Sequence, residues 1–313
     1  MEALTETQLS PNHSILTDPT RRHDFVFLVD VTDGNPNGDP DAGNLPRVDP
    51  ETMQGLMTDV SIKRKVRDWI DATRGDHERF KIYVQNKGIA LNTLHQRGYT
   101  ALNLKSSGTK QKREDVDAVR GWMCENFYDV RTFGAVMTTQ VNAGQVRGPI
   151  QLTFARSIDP IVPLEVAITR VAITDPKDTE VVLTDSGAGQ GGKTTEIGRK
   201  SIVPYGLYRG HGFFNPHFAE QTGFSAEDLG IFWESLVKMW DLDRSASRGQ
   251  LALRGLYVFS HARKFGDAPS HTLFDGIRIR RAPGAVTPRH FADYEVTIDI
   301  ALPESITLTR LVG

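Results

Sequence analysis

Apolar and polar positions follow two rhythms along the chain, and one stretch shows both. Residues 25–31, FVFLVDV, are β-branched and aromatic apart from Asp30, and they stop at Asp33-Gly34. That is the pattern of a short buried strand. After a turn-rich loop the period changes. Ile62, Val66, Trp69 and Ile70 fall at i, i+4, i+7 and i+8, one apolar stripe of a helix over 58–71. Thr58 stands where a side-chain oxygen can cap that helix. At about 100° per residue, Lys63, Arg64 and Arg67 share one flank of the stripe.

The same reading extends down the chain. FKIYVQ (80–85) alternates as a strand does. Residues 86–112, with Gly88, Gly98, Gly108, Lys105, Lys110 and Lys112, read as a polar, mobile segment. Val116, Val119, Met123 and Phe127 recur at helical spacing over 113–127. Residues 135–141 and 149–155 read as strands paired around a loop at 142–148, with a further strand at 164–174. Residues 175–200 turn polar and glycine-rich, as an insertion projecting from the core does. A strand returns at 201–208. Ser225 opens the clearest helix, with Asp228 completing a capping box and Leu229, Phe232, Trp233, Leu236, Val237 and Trp240 forming a wide apolar face. Strands at 251–260, 276–280 and 294–301 finish the chain, and residues 1–22 read as a flexible lead-in. Periodicity alone supports an α+β fold; 313 residues allow one large domain or two small ones, and one domain over 23–313 is the expectation. The order of elements is compatible with a split βαβ core.

Composition narrows the function more than the fold. The 313 residues can bury a substantial core, and 39% apolar with 24% charged residues is ordinary for a soluble globular protein. A net charge of −2 excludes a uniformly basic nucleic-acid coat, so any such binding must come from local clusters. Cys124 is the only cysteine, which rules out a disulfide within the chain and a cysteine-based zinc site. A reducing cytoplasm fits. Residues 1–20 lack the basic start and apolar core of a signal peptide. No apolar run approaches the roughly 20 residues that span a bilayer. The expectation is a soluble cytoplasmic protein without a cofactor.

Two short patterns suggest chemistry that their surroundings do not support. Residues 187–194, GAGQGGKT, match GxxxxGK[ST], and a nucleoside-triphosphatase using Lys193 and Thr194 is the rival function they raise. A working phosphate loop needs a helix to start right after Lys-Thr, yet Gly198 and Pro204 interrupt the stretch where that helix would run. Residues 33–44, DGNPNGDPDAGN, place oxygen-bearing side chains at positions 1, 3, 5 and 9 with glycine at 6, as a calcium loop does. Position 12 is Asn44 rather than glutamate, and a strand precedes the loop, so a structured turn is the favoured reading.

Three blocks carry a family resemblance. They are GNPNGDPDAGNLPRVDPETMQGLMTDVSIKRKVRDWI (34–70), DVRTFGAVMTTQVNAGQVRGPIQLTFARSIDPI (129–161) and IGRKSIVPYGLYRGHGF (197–213). Together, and in this order, the chain resembles the backbone subunit of the CRISPR-associated Cascade complex, subtype I-C. The resemblance implies an RNA-recognition-motif-like (ferredoxin-like) core with insertions at 86–112 and 175–200, the latter a projecting thumb. It implies a non-catalytic protein whose copies form a filament along a guide RNA (crRNA), with other Cascade subunits and, through the guide, target DNA as partners. Single-stranded RNA carries one charge per nucleotide, so its holder needs cations spaced along a groove. Three clusters qualify. Arg47, Lys63, Arg64 and Arg67, with the Ser61 hydroxyl, form the first, and the resemblance places the helix at the guide backbone. Asn142, Gln145 and Arg147 sit in a glycine-flanked loop. Arg199, Lys200 and Arg209 lie at the base of the implied thumb, with His211 as a surface or phosphate contact. Tyr205, Tyr208, Phe213 and Phe214 are candidate stacking groups, although core burial suits most of them better.

Overall fold

The computed structural model describes residues 12–106, 111–170, 172, 182–183, 189–190 and 196–313. A one-turn helix, His13–Leu16, leads into β1 (His23–Gly34). β1 is buried on both faces for most of its length, which is why its sequence is an unbroken run and not an alternation. β2 (Gln54–Met57) precedes α1 (Asp59–Arg74), whose N-cap Thr58 accepts the Ser61 amide at 3.3 Å. Next come α2 (Leu91–Ala101), α3 (Arg113–Asn126) and α4 (Tyr128–Phe133). After them stand the strands β3 (Gly134–Thr138), β4 (Asn142–Arg147), β5 (Ile150–Leu152), β6 (Ala155–Pro160) and β7 (Leu164–Arg170). The long β8 (Glu196–Phe214) leads to α5 (Pro216–Thr222), α6 (Ala226–Leu242) and β9 (Gln250–His261). The chain ends with α7 (Ser270–Asp275), β10 (Ile277–Arg281), β11 (Tyr294–Ile298) and β12 (Ile306–Val312). The capping box of Ser225 and Asp228 forms as expected.

Eight strands make one antiparallel sheet in the order β12-β9-β1-β8-β6-β2, with β5 and β7 also paired to β8. The fold is α+β. The elements β1, α1, β6, β8, α6 and β9 run βαββαβ along the chain, and the first of these strands lies between the last and the third. One face of β1, through Phe25, Phe27, Val29 and Val31, packs against Ile62, Val66 and Ile70 of α1 and Phe232, Leu236 and Trp240 of α6. The other face, through Val26 and Leu28, lies under Leu273 and Phe274 of α7 and Ile277 of β10. Burying each such side chain stabilises by roughly 1.5–3 kcal/mol. β8 accommodates the phenylalanines of β1 at glycines: Phe25 pairs with Gly212 and Phe27 with Gly210. A third cluster, with Leu94, Tyr99, Val119, Met123 and Met137, gives α2, α3 and the β3–β4 hairpin a core of their own.

Several expectations from periodicity are corrected. Residues 80–85 form no strand, because the amides of Tyr83 and Val84 donate to the Asp129 carboxylate instead of to a neighbouring strand. The 86–112 segment contains helix α2, with Leu94, His95, Gly98 and Tyr99 facing inward; residues 107–110 lie outside the described residues. Gly98 marks a contact, not a loop: a Cβ there would stand 2.9 Å from Trp122 Cε3. The pairing of 135–141 with 149–155 does not form. Residues 142–147, expected as a loop, are β4 and fold back on β3, while β5 pairs with the end of β8. β2 and β12, both at the sheet's edges, are strands that the periodic reading does not contain. Part of the lead-in is docked, with Leu16 buried and its carbonyl accepting from Trp233 Nε1 at 2.9 Å.

The two short motifs stand differently. Gly189 and Gln190 pair with Val182 and Leu183 as short strands; Lys193 and Thr194 lie outside the described residues. In the 33–44 loop, Asn37 Oδ1 accepts from both the amide and the hydroxyl of Thr58, and Asp39 caps a turn at Asp41. Among the described residues no group of three or more His, Cys, Asp or Glu side chains is placed to hold a metal. None of the described helices is long and apolar enough to cross a membrane.

Candidate nucleic-acid interface

The three cations of α1 lie on the expected flank, and each meets an acid. Lys63 pairs with Asp59 at 3.0 Å, Arg64 with Asp68 at 2.8 Å and Arg67 with Asp129 at 2.8 Å. Arg64 stands in solvent, where such a pair contributes little and opens readily. Lys63 and Arg67 are partly buried, and their charged heads lie over the ring of Phe133 at 5.6 and 5.4 Å. Ser61 is in the first turn of the same helix, behind the Thr58 cap. Arg47 follows the two-residue strand Leu45–Pro46 and pairs with Asp39 at 3.3 Å, leaving its buried Nε without a partner.

Phe133 joins two of the predicted clusters. It ends α4 and lines a cleft of about 1200 Å³ together with Gln145 and Arg147 of β4. Arg79, Arg120 and Arg131 also line the cleft, against the acids Asp117 and Glu125, so its walls are net positive. Arg120 is paired with Asp117 at 3.0 Å. Arg147 has no carboxylate partner among the described residues, and its guanidinium lies 5.0 Å from the Phe218 ring centroid. Asn142 is the exception within its cluster. Its Oδ1 accepts the Gly144 amide, its carbonyl accepts the Tyr99 hydroxyl, and its own amide donates to Gln111. It shapes the turn that presents Gln145 and Arg147.

Two buried charges not singled out in the sequence hold this arrangement. Asp129 receives Arg67 together with two backbone amides. Arg131 donates twice to Asp228 Oδ1, at 3.0 and 2.7 Å, and lies between the rings of Phe80 and Tyr128. Asp228 is the capping-box residue of α6, so Arg131 ties α4 to that helix two residues before Phe133. The only sequence signal for either residue is a pair of charges, DVR, inside an otherwise apolar stretch.

The third cluster divides. Arg199 and Lys200 are on the first half of β8, opposite Ala167 and Val166 of β7, and neither lines the cleft. Arg199 is largely exposed and pairs with Glu165 at 3.6 Å. Arg209 and His211 do different work from the expected surface contact. The Arg209 guanidinium donates to the carbonyls of Ile277 and Phe274, and its Nε donates to His211 Nε2. His211 stacks on Phe274 with centroids 4.6 Å apart. Burial, reinforced by Arg209, holds its pKa at about 4, so the ring is neutral at pH 7. The two clamp α7 and β10 to the sheet. Tyr205, Tyr208 and Phe214 are buried, as core residues are.

Comparison with known proteins places the chain. The sequence model of the family described as CRISPR-associated protein Cas7 matches residues 21–299. A relative from Haloferax volcanii, CRISPR-associated protein Cas7, is 27% identical over 228 residues, covering 66% of this chain and 61% of that protein. The chain therefore spans less than two thirds of that relative's length. Among solved structures, a chain of a CRISPR RNA-guided surveillance complex, pre-nicking, is similar at 14% identity and a TM-score of 0.48, covering 79% of both chains. A chain of the type III-B Cmr-beta complex bound to cognate target RNA is similar at 11% identity and a TM-score of 0.37, covering 79% of this chain and 62% of that one. The matched 21–299 includes β1 through β11, the cleft and its supporting ion pairs, and the chain belongs to the CRISPR-associated protein Cas7 family.

Proposed function

We propose that the protein is a non-catalytic crRNA-binding backbone subunit of a type I-C Cascade complex, working in the cytoplasm with other Cascade subunits. One observation carries the reading: Gln145 and Arg147 on β4 line one positively walled cleft with Phe133, and Lys63 and Arg67 of α1 lie over the ring of that same phenylalanine. Cations along such a groove hold a phosphate backbone whatever its bases, as a subunit that must accept any guide requires. Family membership and the three sequence blocks narrow a general anion site to guide RNA. Ser61, Arg64 and Arg47 extend the track along α1, and Arg199 and Lys200 extend it toward the β7–β8 arm. Asn142 shapes its floor, while Arg209 and His211 act through the sheet.

In this reading the βαββαβ order, with β1 between β9 and β8, is an RRM-like (ferredoxin-like) core. The β7–β8 arm is the base of the thumb. Copies stack head to tail along crRNA through the insertions at 86–112 and 175–200 and support its pairing with target DNA. A heterologous contact of that kind continues until something caps it. Electrophoresis of the purified protein, with sizing before and after ribonuclease, tests the proposal. Co-purifying RNA whose removal shortens the assemblies is expected. A protein that carries no RNA and binds no single-stranded RNA when it is supplied overturns it. Lys193→Ala should leave nucleotide turnover at background in both proteins, whereas a specific loss would revive the triphosphatase reading.

A further inference from the structure

A second groove lies on the far side of α3 from the cleft. Arg120, Gly121 and Cys124 face the cleft. Trp122, about 150° from the centre of that stripe at 100° per residue, faces a groove of about 720 Å³. Trp122 forms the floor, with the Phe127 ring edge-on to it at 6.0 Å between centroids. Lys81, Arg97, Asn92 and Gln96 stand on the rim.

The rim is one-sided in its chemistry. No Asp or Glu lines the groove. Asn92 Oδ1 accepts the Thr139 hydroxyl and Gln96 Oε1 accepts the Ser106 hydroxyl, both at 2.5 Å, which leaves the two amide NH₂ groups as donors. Lys81 and Arg97 have no carboxylate partner among the described residues, in contrast to Lys63, Arg64, Arg67 and Lys87. An apolar floor edged by two cations and two amide NH₂ groups, with no carboxylate, suits a planar ring with acceptor edges joined to an anion. An acidic peptide would satisfy the cations and leave the indole uncovered.

We propose that this groove binds a nucleotide of single-stranded nucleic acid, its base stacked on Trp122 and its phosphates held by Lys81 and Arg97. Stacking of this kind accepts any base. The site is separate from the cleft and does not depend on what the cleft holds.

The test uses the full-length protein, with whatever RNA it carries, and a fluorescein-labelled ten-residue oligothymidylate. Wild-type protein should bind the probe with quenching of tryptophan fluorescence. Lys81→Ala/Arg97→Ala, both at the surface, should weaken binding on the order of tenfold. It should also lower the log–log salt slope by about 1.4, at roughly 0.7 per phosphate contact. Trp122→Leu should weaken binding at least about fivefold and abolish the quenching. Co-purified RNA should be unchanged in both variants. An unchanged Kd and slope in the double variant overturns the proposal, even if Trp122→Leu fails to fold. Displacement of the probe by polyglutamate, equally from wild type and Trp122→Leu, overturns it in favour of an acidic protein partner. If the protein carries no RNA and the double variant binds no supplied single-stranded RNA, the guide reading falls while this measurement stands.

Discussion

Arg67 on α1 donates to Asp129 on α4 at 2.8 Å, and Asp129 is the more buried of the two at 1% exposure. The same carboxylate accepts the amides of Tyr83 and Val84, at 2.8 and 3.0 Å. One buried acid thus ties the helix to the 80–85 segment and holds Arg67 over Phe133. The charge of Arg67 is largely matched, so it positions the cleft wall through Phe133, whereas Arg147 has no carboxylate partner among the described residues.

Asp129→Ala should therefore act on stability first. It strands a partly buried guanidinium and two amides, which costs about 3–5 kcal/mol. Urea unfolding should show a lower midpoint, with Asp129→Asn intermediate because it keeps one acceptor. An unaltered midpoint for Asp129→Ala would remove Asp129 from the framework.

RNA binding should respond to Arg147 without loss of stability. Arg147→Ala should lower the log–log salt slope of RNA affinity by about 0.7, the value for one phosphate contact on a single strand. The triple change of Lys63, Arg64 and Arg67 to Ala should weaken binding to all sequences alike and lower the slope by up to about 2. Filter binding across a salt series measures both. A slope that stays put in the triple variant takes α1 out of the track.

Gly210→Ala tests the glycine–phenylalanine pairing at the centre of the sheet. The added Cβ would lie 2.1 Å from Cζ of Phe27, a fully buried ring with no free space to enter. Overpacking of this kind costs about 3 kcal/mol, more than any gain in strand propensity. Thermal unfolding should show a lower Tm, and an equal or higher one refutes the close contact.

Acid should destabilise the protein through His23. This ring is fully buried: Nε2–H donates to the Asp18 carbonyl and Nδ1 accepts from the Ser260 hydroxyl. Burial holds its pKa at about 4, against an ordinary value of 6.5. Below pH 6.5 the unfolded chain takes a proton that the folded one refuses. Stability is therefore complete above about 6.5 and falls until the pH reaches about 4, by about 3 kcal/mol for this group. Urea midpoints at pH 7 and pH 4.5 measure the drop. His23→Gln should make it shallower; an equally steep fall assigns it to other groups.

Much of the framework was legible because its causes are local. The stripe of α1, its Thr58 cap, the capping box of α6 and the apolar run of β1 each lie within a few turns of chain, where period and capping act directly. The cleft was half legible. Gln145 and Arg147, which line it, and Lys63 and Arg67, which meet its Phe133, stood out as cations and amides, but nothing local distinguishes Arg147 from Arg209. One is open to the cleft, and the other is fastened to the carbonyls of Phe274 and Ile277.

By itself, then, the order of residues determined the two main helices, the central strand and the family. Tertiary structure alone decided that 80–85 hangs on Asp129, that 142–147 folds back as β4, and that Arg131 pairs with Asp228 across 97 positions. The physical reason is distance along the chain. A period or a cap is set by neighbours within about ten residues, whereas burial, which settles whether a charge is framework or site, is set by partners that only the folded chain brings near.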